Sequence, residues 1–211
     1  VDNQGLASTP ATGNISVTPV ADAPIVTVAD AQGNEDSAIK LNVSTALVDT
    51  DGSESLGPFV VSGIPVGAVL TDGTHSYTSI PTGDGAVYIN GWDLTNLTIT
   101  PPKDFNGLIN LQVSSTSTES ANKDSATTIQ SLTVNVGAVN DAPTVTFTNP
   151  DYVENGAPQA LVSNLQIGDV DSAQLSSAKI TLTGIQAEDL IVSQYYKGGN
   201  SGTTDLGISY N

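Results

Sequence analysis

The residues best equipped for chemistry in this chain are its acids, and they recur in a pattern. Asp49 and Asp51 form one D-x-D pair, and Asp169 and Asp171 form a second one 120 residues later. Asp22 and Asp141 each stand before an Ala-Pro dipeptide, and Glu35 and Glu154 each stand three residues before an alanine. A D-x-D in a loop sets two short carboxylates on one side of a tight bend. That geometry suits Ca2+, a hard cation that takes roughly 6–8 oxygen ligands. The competing explanation is a plain turn, because Asp bonds its own backbone in turns, and Asp outnumbers Glu here by 17 to 5. The spacing is not that of an EF-hand loop. Asp51-Gly52 is suggestive, but the remaining ligand positions after Asp49 do not follow.

Other residues offer less. His75 is the one histidine, set in Gly73-Thr-His-Ser-Tyr77, and no nucleophile or orienting group accompanies it, so a turn position is expected. Trp92 could stack on a sugar, but a place in the core or at a sheet edge accounts for it better. Tyr195-Tyr196 beside the Gly198–Gly202 loop could form a binding surface, or simply a strand end running into a hairpin loop. That loop lacks the G-K-[ST] ending of a phosphate cradle. Paired carboxylates for glycoside hydrolysis are conceivable in so acidic a chain. The acids nevertheless fall at repeated positions, whereas catalytic sites are few. The expected reading is not an enzyme.

Composition sharpens this. With 22 acids against 5 bases, all of them Lys, the net charge is -17. Nucleic acid and anionic membranes are thereby poor partners, since both call for cationic contacts. A charge of that size opposes compaction, and bound divalent cations would offset it. There is no Cys, so neither disulfides nor thiolate metal sites are open to the chain. No apolar run approaches the ~18 residues of a membrane span. Val1–Pro10 is neither basic nor continuously apolar, and is not expected to be a signal peptide.

The elements that must position the acids are strands arranged in a repeat. Val20-Ala-Asp-Ala-Pro24 matches Val139-Asn-Asp-Ala-Pro143 at an offset of 119, and each is followed by an apolar alternation, Ile25–Val28 and Thr144–Phe147. The boundaries follow: 1–21 as the terminal strand of a preceding repeat (Ile15-Ser-Val-Thr18), 22–140 as a complete repeat, and 141–211 as an incomplete one, truncated or split. Strands are expected at Ile25–Val28, Phe59–Ser62, Leu97–Thr100, Ile109–Val113, Leu132–Val136, Thr144–Phe147 and Ile180–Leu182, between Gly, Pro, Asn and Asp clusters. Short strands at this density argue for an all-β, two-sheet sandwich of the immunoglobulin or cadherin kind.

A resemblance now becomes specific. Asn34–Ile39, Leu47-Val-Asp-Thr-Asp-Gly-Ser-Glu54, Gly63–Ala68, Trp92–Pro102 and Val139–Pro143 are similar to the tandem cadherin-like and bacterial immunoglobulin-like repeats of large RTX-type adhesins. The match covers 20–143, and 144–190 resembles the start of a divergent repeat. The resemblance implies Greek-key sandwiches in an extended array, with calcium at the joints. One joint would use Glu35, Glu119, Asn140 with Asp141, and Asp169 with Asp171. The preceding joint would use Asp22 with Asp49 and Asp51, and Glu154 would serve the next. Two departures stand out: Ser117-Thr-Glu119 replaces the family's D-R-E, and Ala21-Asp22 lacks the linker Asn.

The function so implied is a calcium-stabilised extender in a secreted adhesin on the bacterial cell surface, projecting a distal binding domain for adhesion and biofilm formation. Its partners would be neighbouring repeats, with a host-surface or glycan ligand engaged through other domains. The alternative is a carbohydrate- or protein-binding module of such an adhesin, working through Trp92 or Tyr195-Tyr196.

Overall fold

The computed structural model describes residues 3–149, 151, 153, 156–157, 163–176, 179–182 and 207–210. The chain divides into two compact units, Val1–Val139 and Asn140–Asn211.

The first unit contains eleven strands among its described residues: β1 (Ile25–Ala29), β2 (Ala31–Asn34), β3 (Ile39–Lys40), β4 (Asn42–Ala46), β5 (Glu54–Ser62), β6 (Val69–Thr71), β7 (Ser76–Thr78), β8 (Val87–Tyr88), β9 (Thr98–Thr100), β10 (Gly107–Glu119) and β11 (Ser125–Gly137). One short 3-10 turn, Leu94–Asn96, interrupts them. A five-stranded sheet runs β2-β11-β10-β5-β8 and a four-stranded sheet runs β3-β9-β6-β7, while β1 pairs with β4. The long β10–β11 ribbon is antiparallel, and β2 joins β11 in parallel.

Alternation explains which faces meet. On β10, Ile109, Leu111 and Val113 turn inward, and on β11 Leu132, Val134 and Val136 do the same. They share one core cluster with Phe59 and Val61 of β5, Leu70 of β6, Ile99 of β9, Ile39 of β3, and Val26 and Val43 of β1 and β4. Apolar faces from several sheets closing on one core are consistent with a β-sandwich. Burial of these side chains, at about 1.5–3 kcal/mol each, is the main stabilising term.

Every strand expected in residues 22–140 is present, with boundaries shifted by a few residues. Ile15–Thr18 differs. It forms no strand, and Ile15 and Val17 are exposed. A lone alternating segment without a pairing edge has nothing to receive its backbone groups. What holds this tail is polar: Ala21 N donates to Asp124 Oδ2 at 3.0 Å, and Asn122 Nδ2 donates to the Pro19 carbonyl at 2.8 Å.

In the second unit, β12 (Thr144–Thr148) pairs antiparallel with β13 (Ser163–Gly168). A further pair, β14 (Lys179–Leu182) and β15 (Gly207–Tyr210), is parallel. Glu154, Tyr195, Tyr196 and the Gly198–Gly202 loop lie outside the described residues.

Candidate metal centre

Three segments of the first unit bring carboxylates together at the turn between β10 and β11. Glu119, the last residue of β10, stands directly opposite Glu54, the first residue of β5. Both side chains are buried, at 4% and 6% exposure. Asp22, ahead of β1, docks on them: its N–H donates to Glu54 Oε1, and its carbonyl accepts from the Ser117 hydroxyl. Glu54 Oε2 and Glu119 Oε2 are buried without any hydrogen-bond partner.

The D-x-D loop leads into the same place. Asp51 N–H donates to Asp49 Oδ1 at 2.9 Å, and Ser53 N–H donates to Asp51 Oδ1 at 2.7 Å. Gly52 takes φ +96, where a side chain would be strained. Ser120 N–H then donates to the Ser53 carbonyl, tying this loop to the β10–β11 turn. The Ser53 backbone and hydroxyl donors hold the Asp51 carboxyl below its ordinary pKa.

Electrostatics register the crowding. The Glu119 carboxyl is pushed above its ordinary pKa, first by burial, then by the charges of Glu54, Asp51, Asp49 and Asp124. A buried carboxylate without a compensating partner is costly. Two such groups side by side, each with an open oxygen, form the kind of donor set a hard cation satisfies. The residues present therefore fit a cation bound by oxygen.

At the opposite end of β11 a second buried acid has the same character. Glu35 Oε1 accepts from Val139 N–H at 2.7 Å, and its Oε2 has no partner. Glu35 N–H donates to the Gly137 carbonyl at 3.0 Å. Nearby, Asp104 N–H donates to Asp36 Oδ1 at 3.1 Å. In the second unit, Asp141 N–H donates to Asp171 Oδ2 at 2.6 Å, and Asp171 and Ser172 N–H donate to Asp169 Oδ1 at 2.9 and 2.8 Å. Asn140 Nδ2 donates to the Asp141 carbonyl. Asp169 and Asp171 thus repeat the loop chemistry of Asp49 and Asp51.

One expectation needs correction. Glu119 and Glu35 were expected to serve one joint together. Glu119 lies beside Asp124, just before β11 begins, and Glu35 lies beside Gly137, where β11 ends. The 13 residues of β11 run between them, roughly 40 Å at the usual strand rise. No single ion site contains both. Glu119 belongs with Asp22, Asp49 and Asp51, and with two acids that sequence reasoning passed over, Glu54 and Asp124.

His75 and Trp92 are engaged with each other. Their rings stack at 5.4 Å with an interplanar angle of 14°, and Trp92 packs partly against the core. His75 Nδ1 lies 2.9 Å from Asp72 Oδ2. Buried Asp72 also accepts from the backbone N–H groups of Thr74, His75 and Asp93. The His75 N–H, with the further donors, holds its carboxyl well below the usual range against the opposing effect of burial. The arrangement clasps two loops together.

Comparison with protein-family models, with curated proteins and with solved structures finds no match. The acidic clusters are what the structure offers toward a ligand, and they could hold a metal ion.

Proposed function

We propose that this chain is a calcium-stabilised structural repeat, an extender of Greek-key β-sandwiches in tandem from a large secreted bacterial surface adhesin. Within that reading it performs no catalysis. It carries a distal binding domain away from the cell and contributes to adhesion and biofilm formation.

The observation that carries the proposal is the pair Glu54 and Glu119, buried face to face with one free oxygen each, next to the D-x-D of Asp49 and Asp51. A net charge of -17 strengthens it, because a divalent cation relieves local repulsion among fixed carboxylates. The tail residue Asp22 is bonded into the same cluster. An ion there would fix the chain entering the sandwich as well as the sandwich itself. Linkers between domains are flexible by default, and ions at successive entries would convert a string of repeats into a stiff array. The adhesin setting and the choice of calcium rest on the resemblance of Asn34–Ile39, Leu47–Glu54, Trp92–Pro102 and Val139–Pro143. The carbohydrate-binding alternative draws no support from Trp92, whose ring is used internally by His75 and the core.

The test is calcium titration of the purified chain, followed by calorimetry and thermal unfolding, with EDTA as reference. Saturable binding that is lost in E54Q/E119Q supports the proposal. Calcium-independent unfolding of the unaltered chain overturns it.

A further inference from the structure

The second unit carries an apolar face whose counterpart in the first unit is covered. On β12 and β13, Val145 stands directly opposite Ile167. Alternation puts Phe147 and Leu165 on the same face. These four side chains are 55%, 43%, 52% and 45% exposed in that order. The opposite face is polar, with Thr144, Thr146 and Gln166.

The internal repeat identifies the counterpart. Val145 and Phe147 lie 119 residues after Val26 and Val28 of β1. Val26 pairs with Thr45 of β4 and Val28 with Val43, just as Val145 pairs with Ile167. Val26 and Val43 are only 7% exposed. They belong to the core cluster that contains Leu132, Val134 and Val136 of β11 and Ile109, Leu111 and Val113 of β10. The Thr45 hydroxyl donates to the Ser115 hydroxyl of β10 at 2.8 Å, which fixes the ribbon over this face. The same two-stranded motif is therefore seated against a long β-ribbon in one unit and exposed in the other. An isolated two-stranded pair is marginal in water, and four half-exposed aliphatic and aromatic side chains on one side invite a cover.

We propose that the β12–β13 face is a docking seat for a β-ribbon of the β10–β11 kind: two antiparallel strands with Ile, Leu and Val alternating on one face and Ser and Thr on the other. The ribbon comes from a separate polypeptide segment, and it docks by packing of side chains across the face. This inference is independent of any cation.

The probe is a synthetic peptide of residues 105–138 of this chain, added to the intact 211-residue protein. Amide hydrogen exchange is followed in β12 and β13. The expected result is about tenfold or more slower exchange there, lost when the protein carries V145S/F147S and lost when the peptide carries L132S/V134S/V136S. The protein's first unit reports, by its unchanged exchange, that the variant remains folded. Unaltered exchange in β12 and β13 with the peptide overturns the proposal. Equal protection by the serine-substituted peptide also overturns it, since backbone pairing at an edge would then suffice. Protection that grows with protein concentration alone, with a dimer in sedimentation, assigns the face to a second copy and likewise overturns it.

Discussion

Glu54 and Glu119 face each other across neighbouring strands, and each keeps one buried carboxylate oxygen without a hydrogen bond. Two like charges in that position weaken the fold unless a proton or a cation joins them. The cluster is therefore a liability in the metal-free protein and an asset in the loaded one.

That duality gives a reciprocal prediction. In EDTA at neutral pH, E119Q should raise the melting temperature by a few degrees, because it removes a charge that burial and Glu54 both disfavour. In calcium the order reverses. At a calcium concentration one hundred times the dissociation constant, the unaltered protein gains about 2.7 kcal/mol. That corresponds to about 10 °C for a unit of this size, and E119Q should lose most of it. Calorimetric melts of both proteins in EDTA and in calcium check the crossover. E119Q less stable than the unaltered protein in EDTA would contradict it.

The pH dependence of the metal-free protein follows from the same shift. Glu119 has a folded pKa above its unfolded value of 4.5, so the folded state holds the proton more tightly. Its contribution is present in full below the unfolded value and is lost as pH rises through the folded one. Asp72 has the opposite sign. Its folded pKa is depressed from 3.8, so its contribution is full above that value and fades as pH falls toward the depressed one. Urea unfolding in EDTA should show D72N flattening the acid limb and E119Q flattening the decline toward neutrality.

The strands were legible because alternation and turn residues coincide. Ile109–Val113 and Leu132–Val136 alternate cleanly, and Gly, Asn and Asp bound them. The D-x-D pairs were legible because they recur. Glu54 was not, for a reason visible in β5. Phe59 and Val61 face inward, so strict period two would turn Glu54 outward. The strand slips opposite Ser115 and Ser117 of β10, three residues of β5 passing against two. That irregularity, at Gly57-Pro58, reverses the parity and buries Glu54. Asp72 was hidden differently. Asp72-Gly73 reads as an ordinary surface turn, and its burial depends on Asp93 N–H, 21 residues away. The pairing of Glu119 with Glu54 spans 65 residues, and only the register of two strands fixes it.

The clasp of His75 over Trp92 should be visible in fluorescence, because Trp92 is the one tryptophan. H75A removes the stacked ring and the Nδ1 bond to Asp72, exposing the indole. The expected outcome is a red-shifted emission maximum and faster quenching by iodide, with a small loss of stability. An emission spectrum identical to that of the unaltered protein would show that the stack does not shield the indole.

Gly63 is the position least able to accept a side chain. Its φ is +81, and an added Cβ would lie 2.6 Å from the Asn110 carbonyl oxygen, a backbone atom of β10. The neighbouring Ile64 N–H is bonded to the Gly85 carbonyl, so the loop cannot swing away without breaking that bond. Left-handed backbone alone costs an L-residue roughly 1–2 kcal/mol. The contact with β10 adds to this, and relief would have to come from the central ribbon of the core. G63A should therefore destabilise the first unit by about 3 kcal/mol, toward the upper end of ordinary point substitutions. Gly73, also at positive φ but with nothing within 4 Å of an added Cβ, is the control. G73A should cost only the backbone strain, so urea midpoints for the two variants should separate. Equal midpoints would mean that β10 gives way to the new methyl group.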